Sequence, residues 1–281
     1  MRLVSLDAGS GPRAALLRNG RVYDIWRDAP IALGDSGRTL DALVEGGLLG
    51  EVRPTEDRGL PLGSVRLLPP IGRPGKIVCI GLNYRSHAEE QGLEPPATPT
   101  FFGKFANALA APGATVSPPP ASRKLDFEAE VAFVIGRRAT RVAEGDALAH
   151  VAGFMLFNDL SARDLQFQTP QWMPGKVFDG AAPCGPALVT LDEAEPHDAI
   201  EIELMLNGEV MQKATTAGLV HSVPVLVAYL SRLMTLDPGD VISTGTPAGV
   251  GSLRDPPVWL KSGDELVISS PQLGVLETRI G

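Results

Sequence analysis

The sequence predicts a mixed α/β fold dominated by strands, and three observations carry that expectation. Leu125 to Gly136 alternates with a period of two, Phe127, Ala129, Val131, Phe133 and Ile135 on one side and Asp126, Glu128, Glu130, Ala132 and Val134 on the other. Asn207-Gly208 separates two strand-like runs, Ile200 to Leu206 and Glu209 to Gln212, which is the strongest short hairpin signal. Helical patterns are few, the clearest being Ser222 to about Met234.

Taken in chain order, short strands are expected at Leu3 to Leu6, Ala14 to Leu17 and Arg21 to Ile25, then a short amphipathic helix around Leu40 to Leu48. The Pro and Gly cluster from Pro69 to Gly75 marks a boundary. Residues 1–68 therefore read as a small β-rich N-terminal cap and 69–281 as the main domain. A strand follows at Lys76 to Ile80, and a proline-rich ordered loop at Pro112 to Pro120 separates the Phe101 to Lys104 segment from the alternating strand. Beyond Asp159, strands are expected at Ala187 to Leu191, in the hairpin, at Val241 to Ser243 and at Glu265 to Ile268. Ser222, with Pro224 just inside, opens the last helix as its cap, and Leu236-Asp237-Pro238-Gly239 closes it.

A chain of 281 residues with 44% hydrophobic and 21% charged residues can bury a sizeable core. Its net charge of -8 and lack of a Lys or Arg run argue against nucleic acid or anionic lipid as partners. Cys79 and Cys184 lie in apolar stretches, as reduced structural thiols do, so no disulfide framework is expected. The first residues lack the pattern of a signal peptide, and no apolar run approaches membrane-spanning length. The expected location is cytoplasmic.

The chemistry centres on carboxylates. Glu128 and Glu130 share one face of the alternating strand, whose continuation is apolar on both sides, and Asp159 ends the next apolar run. Bare charges at the mouth of a buried strand are costly. Three oxygen ligands there suit Mg²⁺ or Mn²⁺; the alternative is an acidic rim facing solvent, with Asp159 capping a helix from Leu160. After the strand ending at Ile80, His87 and Glu90 share a face if the segment is helical. They then form either a carboxylate-oriented general base or an exposed pair of no consequence. Lys176, held between Pro174 and Gly180, and the loop Ser243 to Gly251 are each either a place for a substrate carboxylate or oxyanion or a tight turn.

Together, GLNYRSHAEE, LDFEAEVAFVIG, GFMLFNDLSARDLQ, QWMPGKVFDGAAPCGP and ISTGTPAGVG, in this order and spacing, resemble the fumarylacetoacetate hydrolase family from about Ile77 to the C-terminus. The resemblance implies a mixed β-roll, a divalent ion held by Glu128, Glu130 and Asp159, a lid supplying His87 and Glu90, and a homodimer. Lys176 is expected to act with that pair, and Tyr84, Arg85, Lys104, Gln166 and Thr246 to contact the substrate, a small 2-oxo acid. The implied activity is Mg²⁺-dependent hydrolysis of a C–C bond in an acylpyruvate or related 2,4-dioxo acid through a metal-bound enolate, with His87 activating water. The alternative on the same scaffold is an oxaloacetate decarboxylase or tautomerase, or a 2-hydroxy-diene-dioate isomerase. The polar segment from Tyr84 to about Pro96 is expected to be a mobile lid.

Overall fold

The computed structural model describes residues 1–25, 38–53 and 59–281. Its strands and helices in the N-terminal part are β1 (Arg2–Asp7), β2 (Pro12–Arg18), β3 (Arg21–Asp24), α1 (Leu40–Glu45), β4 (Leu60–Pro61) and β5 (Leu67–Leu68). Then come β6 (Ile77–Gly81), α2 (Arg85–Glu90), β7 (Thr100–Lys104), β8 (Leu109–Ala110), β9 (Thr115–Val116), β10 (Leu125–Asp126), β11 (Ala129–Ile135) and β12 (Val151–Asn158). The remainder is β13 (Ser161–Ala162), α3 (Arg163–Gln166), β14 (Ala182–Thr190), β15 (Glu201–Leu206), β16 (Glu209–Thr215), α4 (Val223–Leu233), β17 (Val241–Ser243), β18 (Glu265–Ser270) and β19 (Gly274–Ile280).

The largest sheet runs β4-β3-β2-β1-β14-β12-β11-β17-β6-β7, with β5 on β1 and β8 on β14; a second runs β16-β15-β18-β19-β9. The N-terminal strands are part of the main sheet, because β1 pairs with β14 through Arg2 with Val189 and Leu3 with Leu188. β11 is buried on both faces: Val131, Phe133 and Ile135 enter one apolar cluster, Ala132 and Val134 the other. That is what its near-continuous apolar run requires.

Four connections meet at one end of this sheet. β11 and β12 are antiparallel with Ala129 opposite Asn158, so the start of one adjoins the end of the other. β17 runs against β11 and β6 runs parallel to β17, which brings the residues after Ser243 and after Gly81 to the same rim. The sheet thus gathers Glu128, Glu130, Asp159, the 244–251 loop and the α2 segment from across the sequence.

Three local expectations need correction. The alternating strand is two pieces, because side chains take over the ladder at Phe127 and Glu128: Asp126 Oδ1 accepts from Phe127 N at 2.9 Å, and Asn158 Oδ1 from Glu128 N at 3.1 Å. Ser222 sits at the cap position of α4 without a side-chain capping bond; the helix is held by its buried stripe of Val223, Leu226, Val227 and Leu230, the spacing of an amphipathic helix face. The α2 segment has the anchors its polar sequence concealed: Tyr84, His87 and Ala88 are buried, and Glu90 Oε1 accepts from Gly249 N at 2.9 Å. The hairpin is as expected, with Asn207 and Gly208 both at positive φ, the geometry of a primed turn. Both cysteines are buried and free.

Candidate active site

Glu128, Glu130 and Asp159 are buried, and one oxygen from each lies within 4.8 Å of the others. Three buried cations surround them. Lys176 Nζ donates to Glu128 Oε2 and Asp159 Oδ2, both at 2.8 Å. Arg163 Nη1 lies 2.7 Å from Glu128 Oε1, while its Nε donates to Asp126 Oδ2 at 2.8 Å. Lys104 Nζ lies 2.7 Å from Asp159 Oδ1, an ion contact without hydrogen-bond alignment, and donates to the carbonyls of Lys176 and Ala181.

Counting Asp126, four buried carboxylates face three buried cations, and the excess negative charge falls on Glu130. Burial raises Glu130 well above the usual carboxylate range, and Asp159 and Glu128 push it further, against the hydrogen bond from Ser243. Glu128 behaves oppositely: burial would raise it, but Lys176 and Arg163 outweigh burial and hold it below that range. Glu130 Oε2 accepts from Ser243 Oγ and, at 3.0 Å, from Gly245 N. Its Oε1 has no hydrogen-bond partner among the described residues, while Asp159 Oδ1, a buried oxygen without a hydrogen bond, is in contact with the Lys104 ammonium. The free Glu130 oxygen, in a cluster where Glu128, Glu130 and Asp159 each offer an oxygen within 4.8 Å of the others and negative charge is in surplus, fits a divalent cation with oxygen ligation.

Glycine is required at two points. Gly245 has φ +99° and a Cβ there would stand 2.9 Å from the Ile80 carbonyl, so only glycine aims this N–H at Glu130. A Cβ at Gly175 would meet the Ala162 carbonyl at 2.4 Å, so its absence lets the Lys176 turn pack against α3.

Above the carboxylates, His87 Nδ1 is 3.1 Å from Glu90 Oε2 and its Nε2 is 2.9 Å from Gln91 Nε2. With Glu90 ionised, Nδ1 carries the proton and Nε2 accepts from the Gln91 amide, a self-consistent neutral tautomer. Burial opposes ionisation of Glu90, but the hydrogen bonds from His87 and Gly249 N hold it below its ordinary range.

His87, Glu128, Glu130, Lys176, Gln166 and Thr246 line one cavity of about 170 Å³. Its apolar side includes Phe102 and Trp172, in edge contact at 5.9 Å between ring centroids. Thr246 is fixed by Gln212, which donates to its Oγ1 at 2.8 Å and accepts from Ala129 N. Gln166 Oε1 accepts from Arg163 Nη1 at 3.0 Å.

Tyr84, Arg85 and Lys104 do not line this cavity. Tyr84 is buried, its hydroxyl has no hydrogen-bond partner among the described residues and burial raises its pKa; Arg85 is exposed; Lys104 is spent on Asp159 and two carbonyls. Arg163, Gln91, Phe102 and Trp172 were not singled out by sequence. Arg163 had one usable signal, its place three residues before Gln166 on the same helical turn.

The sequence family described as fumarylacetoacetate (FAA) hydrolase C-terminal matches residues 76–281. The chain belongs to the fumarylacetoacetate hydrolase family. It is an enzyme, as the members named below are. "Oxaloacetate tautomerase FAHD2A, mitochondrial" of Bos taurus is 46% identical over 224 residues, covering 79% of this chain and 71% of that protein. Fumarylacetoacetate hydrolase from psychrophilic Exiguobacterium antarcticum superposes with TM-score 0.86 at 31% identity, covering 100% of this chain and 99% of its own. The 2-hydroxyhepta-2,4-diene-1,7-dioate isomerase of Mycobacterium marinum gives TM-score 0.78 at 32% identity, covering 100% and 98%. The β-dominated fold is therefore that of the family.

Two expectations change with these comparisons. A cytoplasmic location is withdrawn, because curated relatives from cattle and humans are named mitochondrial proteins; among the described residues no helix is long and apolar enough to cross a membrane. The comparisons favour the alternative on the same scaffold over C–C hydrolysis, since the named relatives include oxaloacetate tautomerases and a diene-dioate isomerase beside a fumarylacetoacetate hydrolase.

Proposed function

We propose that this enzyme moves a proton at the carbon next to the oxo group of a small 2-oxo acid, as a tautomerase or isomerase, with oxaloacetate as its first test substrate. The observation that carries this reading is the placing of a carboxylate-oriented imidazole, His87, over the buried carboxylate and cation cluster in one small cavity. A volume of about 170 Å³ is below the usual range of roughly 300–1,000 Å³ for drug-sized ligands and favours a compact acid.

Glu128, Glu130 and Asp159 would hold the cation, Mg²⁺ or Mn²⁺, whose Lewis acidity polarises an oxo group and steadies negative charge on its oxygen. The protein side of the reaction is an acid–base relay. Gln91 turns away from Nε2, His87 takes a proton from C3 through that nitrogen, and Glu90 stabilises the resulting imidazolium. His87 then gives the proton to the oxo oxygen, completing the keto-to-enol conversion with no water consumed, and the same steps in reverse turn enol into keto. Lys176, the Gln166 amide and Thr246 orient the substrate carboxylate and resist charge migration away from the oxo oxygen. Phe102 and Trp172 exclude water, which suits proton transfer better than hydrolysis.

The test follows enolic oxaloacetate by ultraviolet absorbance while pyruvate is assayed in parallel, with Mg²⁺ present. Acceleration of enol–keto conversion without matching pyruvate is the expected result. One pyruvate per substrate consumed identifies a decarboxylase instead, and no acceleration overturns the reading. A homodimer belongs to the same reading, supported by Phe101 on the end strand β7 of the sheet and Phe105 just after it, 40% and 57% exposed. Sedimentation equilibrium giving the mass of one chain overturns it.

A further inference from the structure

The loop after β17 serves both halves of the cavity. Its Gly245 N–H meets Glu130 on one side, and its Gly249 N–H holds Glu90 Oε1 at 2.9 Å on the other. Gly249 has φ +101°, and a Cβ there would stand 2.3 Å from the Met211 carbonyl, so this close approach requires glycine. The aim of that N–H depends on what holds the loop. Gln212 holds Thr246 and Pro247, and Asp126 holds Gly251 and Ser252. Between these two anchors the Gly249 carbonyl accepts from Arg254 Nε at 3.1 Å.

The same guanidinium reaches a second carbonyl, that of Met211, to which Nη2 donates at 2.6 Å. Met211 is the extra residue of a β-bulge: Leu204 faces Gln212 and Met205 faces Val210, so Met211 has no opposite number on β15. A bulge bends its strand and disrupts the ladder locally, which leaves this carbonyl for Arg254. Arg254 thus braces the loop against the second sheet with two arms of a planar fork, a geometry that lysine lacks. It is half-buried, lies outside the cavity lining and makes no salt bridge among the described residues. Its charge also reaches Glu90: burial opposes ionisation of that carboxyl, while His87, the Gly249 N–H and then Arg254 favour it.

We propose that Arg254 is a positioning residue for the reaction: by bracing Gly249 against the Met211 bulge it fixes Glu90, and through Glu90 it fixes the tautomer of His87. This rests on the reading of His87 as the base. Glu90 Oε2 stays 3.1 Å from His87 Nδ1 while Oε1 is held by Gly249. The Glu90 side chain is 20% exposed, so a slackened loop lets its carboxylate turn toward water. The imidazole then populates the form with its proton on Nε2, which has no lone pair there to take a proton from substrate. Arg254 acts two contacts away from the chemistry and touches no reacting atom.

The experiment measures enol–keto conversion of oxaloacetate by the full chain with Mg²⁺, as wild type, Arg254→Gln, Arg254→Lys, Glu90→Gln and the double variant. Arg254→Gln is expected to lower kcat by roughly tenfold with KM unchanged, short of the ~10²-fold to 10⁴-fold assigned to loss of the base itself. In the Glu90→Gln background the same change should add nothing, because residues that act through one contact are not additive. Arg254→Lys keeps the charge and should recover part of the loss. Additive losses in the double variant, a loss carried by KM alone, or a wild-type kcat in Arg254→Gln overturns the proposal. A second readout needs no turnover: long-range proton–nitrogen correlation spectra of the four imidazoles, with His87 assigned by its disappearance in His87→Ala. Wild type should show the proton on Nδ1, and folded Arg254→Gln a mixture with Nε2; an unchanged tautomer overturns the proposal. Should Arg254→Gln fail to fold, Arg254→Lys, with one arm lost, is read in the same way. If the tautomer shifts as expected but wild type does not accelerate the conversion, the reading of the reaction fails and the bracing of His87 by Arg254 stands.

Discussion

The floor and the roof of the cavity are built on opposite principles. The floor is a cluster of buried charges at the start of β11, just past the end of β12 and on the Lys176 turn, where Glu128 and Asp159 are each touched by two cations. The roof is the six-residue helix α2, which sets an imidazole between Glu90 and Gln91 and is tied to the 244–251 loop chiefly through Glu90. Charge compensation in the floor stabilises the fold itself. In the roof, the same kind of contact aims a base and contributes little to the rest of the protein.

That contrast can be broken most forcefully at Lys176. Lys176→Met leaves two buried carboxylates short of a cation, and removing one partner of a buried pair costs about 3–5 kcal/mol. Denaturant unfolding should show this loss in the metal-free protein, with Mg²⁺ restoring part of it. Next comes His87→Ala, expected to slow catalysis by ~10²-fold to 10⁴-fold while unfolding and Mg²⁺ affinity stay at wild-type values. If His87→Ala melts the protein as Lys176→Met does, the division between floor and roof is wrong.

Glu130→Gln sharpens the comparison within the floor. It relieves the repulsion from Asp159 and Glu128, so metal-free stability should hold or rise, whereas Mg²⁺ affinity should fall by at least about tenfold, as loss of one charged ligand predicts. Thermal melts with and without a chelator read both effects. The smallest effect is expected for Glu90. Its folded-state pKa is depressed, so its contribution to stability is present above the ordinary carboxylate value of about 4.3 and is lost as pH falls toward the depressed value. Glu90→Gln should flatten that acid limb of the stability profile slightly, and a curve superposable on wild type would remove Glu90 from the coupling.

The sequence made the centre of the fold legible because the carboxylate strand and the hairpin announce themselves within a dozen residues of chain. Motifs as far apart as those of Glu90 and Gly249, 159 residues along the chain, could be assigned to one site because each keeps its own chemistry. What stayed hidden depends on distant partners. Lys104 looks like any lysine ending a strand until Asp159 and the Lys176 and Ala181 carbonyls are folded around it. Tyr84 looks like a lid residue, yet it is buried, packed so closely on Gly218 that a Cβ there would stand 3.2 Å from its ring. The break at Phe127 and Glu128 needs Asn158, thirty residues on, and no local period reports it.

The register of β1 on β14 bears on how this protein can be cut and recombined. The stretch that matches its family begins at residue 76, which invites the idea of a self-sufficient catalytic module. A fragment trimmed to that stretch would leave Leu188 and Val189 with bare amide and carbonyl groups along an open strand, the kind of border that recruits strands from other molecules. Any chimera that exchanges the first residues must therefore supply a strand of the same register and polarity. The N-terminal segment is a seam in the fabric of the sheet, and grafts succeed or aggregate according to how that seam is closed.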